Sequence, residues 1–186
     1  MGNELHVTAD MRRSMEMVEK HKCVIAEMLR MQDIKCVEGD DNEVLRMLDL
    51  SCGIDYFGIH RKSGLTWGVA SRWQTIHPGQ PVWRTFTIRK ERESGAATEY
   101  EKRKRAIEKN GEFPYLTMQG YVNEQDELMS IGIARTADII DCIDRGHCYE
   151  QHTRSEQKGQ ASFYVVKWDV MKRQGHTVLI HNEQEV

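Results

Sequence analysis

Apolar residues recur first at a helical and then at a strand period. Over residues 8–32, Met11, Met15, Val18, Ile25 and Leu29 fall near a 3.6-residue repeat, behind the capping candidates Thr8 and Asp10. This predicts an amphipathic helix whose Met-rich stripe faces a core. Residues 34–37 suit a short strand, and Glu38-Gly39-Asp40-Asp41-Asn42 a turn. Residues 43–49 fit either a helical turn or an extended run. The pattern then switches to period two. Residues 55–59 and 65–74 read as a β-hairpin around Arg61-Lys62-Ser63-Gly64. On its second strand Trp67, Val69, Ser71 and Trp73 share one face, and Gly68, Ala70, Arg72 and Gln74 the other.

The loop His77-Pro78-Gly79-Gln80-Pro81 ends the hairpin, and residues 82–89 resume as a third strand. Thr98 followed by Glu101 has the spacing of a capping box, opening a helix to about Lys109 that stops at Asn110-Gly111. Residues 115–122 and 128–134 predict two more strands. Thr136 is placed as the cap of a helix ending at Asp144, before Arg145-Gly146. Residues 147–160 are polar and aperiodic and are expected to form a loop. Residues 161–169 read as the last strand, and 180–186 as a frayed tail. The order predicts an α+β chain with a mixed central sheet flanked by helices, in one domain with a C-terminal extension over 123–180.

Composition sharpens this. The chain has 186 residues, 39% hydrophobic and 30% charged, with four Trp, six Tyr and four Phe to anchor a core, which excludes a disordered chain. The apolar runs are too short to cross a bilayer, so no membrane role is expected. No basic-then-apolar leader opens the sequence, and the five scattered cysteines read as reduced thiols, so a cytoplasmic protein is expected. A net charge of −3 conceals a basic segment: from Arg84 to Lys109 there are nine Lys or Arg against five Glu. Arg84, Arg89, Lys90, Lys102, Arg103, Lys104 and Arg105 are therefore candidates for a phosphate-binding face, set against a solvated helix laced with ion pairs. The block Lys102-Arg103-Lys104-Arg105 spans every helical face, so its members cannot all serve one ligand. Cys142, His147, Cys148 and His152 lack structural zinc spacing. No phosphate-binding glycine loop or nucleophile elbow is present.

The candidate chemistry lies in the hairpin. Asp55 opens its first strand after Gly53-Ile54, and Arg72 and Gln74 share a face on the second. With the helix–strand–strand–strand–helix–strand order, this resembles the restriction-endonuclease-like, or PD-(D/E)XK, nuclease superfamily, over roughly residues 10–122. In that family an Asp begins one strand, and an acid and a Lys separated by one residue follow on the next. The carboxylates hold Mg²⁺ or Mn²⁺, which activates water for attack on phosphorus. The resemblance makes Asp55 the first acid and places Ala70-Ser71-Arg72 where acid-X-Lys is expected. Arg72 then stands for the Lys, and Gln74 contacts the metal-bound water or a phosphate. Ala70 supplies no carboxylate. The second acid is sought in Glu99 first, and otherwise in Glu19, Glu43 or Asp49. The implied catalytic set is Asp55, Arg72, Gln74 and Glu99, and the implied metal ligands are Asp55, Glu99 and Glu19.

Two functions follow from the resemblance. One is a divalent-metal-dependent nuclease acting on nucleic acid, DNA ahead of RNA. The other is an inactive nuclease-like binding protein or inhibitor with a protein partner, for example one carried by a virus or mobile element. Each site residue also has a structural reading. Asp55 can bond a turn amide, Arg72 can be half of an ion pair, and Gln74 can close a strand.

Overall fold

A computed structural model describes residues 9–36, 53–60, 63–64, 66–92, 97–110, 114–155 and 159–182. The chain begins with α1 (Ala9–Leu29), β1 (Met31–Cys36), β2 (Tyr56–His60), β3 (Thr66–Thr75) and β4 (Thr85–Arg92). There follow α2 (Glu99–Glu108), β5 (Leu116–Val122), β6 (Leu128–Arg135) and α3 (Thr136–Asp144). It closes with β7 (Tyr149–Ser155), β8 (Gly159–Lys167), α4 (Trp168–Arg173) and β9 (Val178–His181). The fold is mixed α+β, with a mixed central sheet flanked by helices. Among the described residues no helix is long and apolar enough to cross a membrane. The expected turn at 38–42 and the ambiguous run at 43–49 lie outside the described residues.

The central sheet has six strands in the order β1-β2-β3-β5-β6-β9. β1, β2 and β3 form an antiparallel meander, β5 runs parallel to β3, and β6 and β9 add antiparallel strands. A parallel neighbour needs a crossover, and the chain between β3 and β5 supplies it with β4 and α2. The alternation read on β3 holds. Val69, with Trp67 and Trp73 against it, packs with Val18, Ile25 and Leu29 of α1 and with Tyr56, Met118, Ile131 and Ile133. The Ser71 hydroxyl meets Ser14 of α1 at 2.8 Å. Trp73 also stacks on His21 of α1, with ring centroids 5.4 Å apart. Its indole lies over Gly120 of β5, where any Cβ would collide with the ring.

The other face of the central sheet is covered differently. The expected third strand, β4, does not join this sheet. It forms a second, three-stranded antiparallel sheet in the order β4-β8-β7. The polar stretch 147–160, expected as a loop, supplies β7 and the start of β8. Nor is the 161–169 strand the last one, because α4 and β9 follow it and residues 180–181 pair with β6. Residues 123–180 thus contribute strands to both sheets. A second core holds Phe86, Ile88 and Val166 of the second sheet against Ile139, Ile140 and Ile143 of α3, Trp168 and Met171 of α4, and Tyr121 and Ala134 of the central sheet.

The capping box at α2 forms as expected: the Thr98 hydroxyl accepts from the Glu101 N–H, and the Glu101 carboxylate accepts from the Thr98 N–H at 2.8 Å. Asn110, at φ 49°, ends the helix in the left-handed region that Asn tolerates. Thr136 is not a cap. Arg135 holds that position without a side-chain bond, and the buried Thr136 hydroxyl pairs with Thr117 at 2.9 Å.

Candidate functional site

The site residues gather on the face of the central sheet turned away from α1. Tyr56 faces α1, so its neighbour Asp55 faces the other way. Asp55 lies at the mouth of β2, where its N–H donates to the Val69 carbonyl at 2.9 Å and its carboxylate Oδ2 accepts from the Ser71 N–H. Arg72 and Gln74 of β3 and Thr117 and Gln119 of β5 continue this face. From the second sheet come Thr87 and Arg89 of β4, and Phe163 opposite Arg89 on β8. The first two turns of α2 contribute Glu99 and Arg103.

A chain of bonds links these groups. Arg72 Nη2 donates to Glu99 Oε1 at 2.5 Å, and Arg72 Nη1 lies 3.4 Å from the Thr87 hydroxyl. That hydroxyl donates to Gln119 Oε1 at 3.1 Å, and Gln119 Nε2 donates to Gln74 Oε1 at 3.3 Å. The second Glu99 oxygen accepts from the Arg89 N–H at 3.3 Å. Arg103 is buried and reaches the Thr117 hydroxyl at 3.5 Å. The Phe163 ring lies against two guanidinium groups, with Arg72 5.1 Å and Arg89 5.5 Å from its centroid.

The charge pattern is lopsided. Burial alone would raise the Glu99 pKa, but Arg72, Arg103 and Arg89 outweigh it and lower the group to about 2. Burial lowers the Arg103 pKa, Glu99 raises it, Arg72 lowers it and Asp55 raises it again. Three guanidinium groups thus face two carboxylates. The Arg72 side chain keeps 24% of its surface accessible, so the excess charge is open to solvent on one side.

The sequence-predicted residues divide clearly. Asp55, Arg72, Gln74 and Glu99 come together on one face, and Arg89 and Arg103 join them. Glu19 does not. It sits on the exposed surface of α1, paired with Lys22, on the layer that covers the opposite face. Glu43 and Asp49 lie outside the described residues. The expected basic face is dispersed. Lys90 sits at a bulge and binds Glu150 at 2.8 Å while lying over Tyr164, whereas Arg89 faces Phe163. Lys104 binds Asp144 at 2.9 Å, and that bond, with Tyr100, raises its pKa. Arg105 is exposed, and Lys102 and Arg84 are partly buried.

Family models, curated proteins and solved structures contain no match to this chain. A divalent cation does not fit the donors present. Both Glu99 oxygens are engaged by donors and surrounded by guanidinium groups, one Asp55 oxygen is bonded to a backbone N–H, and Ala70 stands where a further acid is expected. Among the described residues no three His, Cys, Asp or Glu side chains converge as a metal site. Sequence reasoning placed Arg103 only on the basic face, not beside Glu99, and missed Thr87, Gln119 and Phe163. Only Arg103 left a signal: four residues after Glu99, it shares that residue's helical face.

Proposed function

We propose that this protein binds nucleic acid on a nuclease-like scaffold, holding backbone phosphate at Arg72 and Arg89 without cleaving it. The observation that carries this reading is the clustering of three guanidinium groups around Glu99, with one of them accessible. Guanidinium groups match phosphate oxygens in bidentate geometry and remain charged at any physiological pH. Glu99 fits the part of an orienting group, since it fixes Arg72 by a direct bond and Arg89 through its backbone. The scaffold part of the reading is supported by the order of elements: helix, antiparallel meander, helical crossover, parallel strand, with Asp55 at the start of β2. The absence of cleavage is supported by the donor set, which offers a dication two carboxylates already engaged.

Fluorescence anisotropy of a labelled oligodeoxynucleotide, titrated at several salt concentrations, tests the proposal. Affinity should fall linearly on a log–log salt plot, as expected when phosphate contacts release counterions. Arg72→Ala should weaken binding about tenfold or more, and Lys104→Ala, tied to Asp144, should leave it unchanged. Absence of salt-dependent binding by the wild-type protein would end this reading. Nicking of plasmid DNA in Mg²⁺ or Mn²⁺ that disappears in Asp55→Ala would replace it with the metal-dependent nuclease.

A further inference from the structure

The face of the second sheet turned toward Arg72 carries aromatic side chains as well as charge. Residues directly paired across antiparallel strands project on the same side. Thr87 pairs with Val165, which pairs with Tyr149; Arg89 pairs with Phe163, which pairs with Gln151. The Thr87 hydroxyl bonds Gln119 of the central sheet, so both rows face the site. Tyr149 thus stands on the same wall as Arg89 and Phe163, at the open edge strand.

Tyr149 is 47% exposed, the most open of the large hydrophobic residues among those described. Phe163 is already flanked by two arginines, so Tyr149 is the ring whose face is available. We infer that the nucleic acid held here is single-stranded, with a phosphate at Arg72 and Arg89 and a neighbouring base stacked on Tyr149. This rests on the nucleic-acid reading above and narrows it. The combination of a cationic groove with an exposed aromatic ring is the means by which proteins hold single strands without reading their sequence.

The test compares fluorescein-labelled single-stranded DNA of about twelve nucleotides, within the usual site size, with the same sequence annealed to its complement and with an abasic strand of equal length. The single strand should bind at least tenfold more tightly than the duplex. Tyr149→Ala should weaken the single strand about tenfold and leave the abasic strand unchanged. Tyr149→Phe, which keeps the ring, should restore wild-type binding. Thermal melts of both variants should match the wild type, since Tyr149 is exposed on an edge strand. Equal affinity for duplex and single strand, with both lost in Arg72→Ala, would overturn this inference and leave the proposed function standing. So would Tyr149→Ala binding as wild type. Binding to none of the three probes would overturn both.

Discussion

The two faces of the central sheet are built from alternate residues of the same strands, yet they meet opposite demands. The face under α1 carries Tyr56, Val69, Met118, Ile131 and Ile133, and is closed by an apolar helix stripe. It needs only volume and hydrophobicity. The other face places Arg72, Gln74, Thr117 and Gln119 at the intervening positions, where burial costs free energy unless each polar group finds a partner. Gln119 is 1% exposed and Thr117 5%, so these are interior groups. Their hydrogen-bond partners come from α2, β4 and α3 as well as from within the sheet. Apolar residues of similar size would cover a sheet with fewer constraints.

Substitutions on each face should separate these roles. Met118→Ala removes a fully buried side chain that also accepts the Tyr56 hydroxyl at 3.4 Å. It should lower unfolding stability by about 3 kcal/mol in a denaturant titration, with oligonucleotide affinity unchanged in the fraction that remains folded. A loss below about 1 kcal/mol would mean that the α1 face tolerates a cavity and is not the tighter core. Glu99→Gln should cost less, about 2 kcal/mol, because the group is partly solvated although it balances several arginines. This loss depends on pH. The folded group has its pKa lowered from 4.5 to about 2, so the carboxylate stabilises the protein fully above pH 4.5 and loses this effect as pH falls toward 2. Wild type and Glu99→Gln should therefore converge in stability on acidification across that window. Parallel curves would show that Glu99 is not the group that titrates. Thr87→Val should have the smallest effect, about 1 kcal/mol, while the loss of its contacts to Arg72 and Gln119 weakens oligonucleotide binding several-fold. An unchanged affinity would detach Thr87 from the site.

Local signals in the sequence survived folding, and long-range ones had no sequence trace. The α1 periodicity, the Thr98–Glu101 capping box and the two faces of β3 depend on residues within a few positions of each other, and each is present. Thr136 has cap chemistry, but burial beside Thr117 redirected its hydroxyl. β7 escaped notice because Tyr149-Glu150-Gln151-His152-Thr153 is exposed on an edge strand and shows no apolar alternation. α4 and β9, six and four residues long, are too short for a period to register. Membership of β4 in a second sheet depends on β8, far along the chain. The site was half legible for the same reason. Asp55, Arg72 and Gln74 are marked by strand position and Arg103 by helical spacing from Glu99, but Phe163 arrives only through tertiary pairing.

That pairing shapes how the protein is made. Thr85 pairs with Lys167 and Arg92 with Ala161, so β4 is synthesised well before β8, its strand partner. At translation rates of about 5–20 residues per second, the wait is several seconds. During it, Phe86 and Ile88 belong to a strand with an open edge, the kind of segment that recruits other chains. The charged run Arg89-Lys90-Glu91-Arg92 follows these apolar residues directly. Charges beside an unavoidable apolar strand act as gatekeepers against aggregation. Arg89, which later joins the site, thus helps to guard an orphan strand in the nascent chain, and Phe163 reaches it only after β8 has left the ribosome.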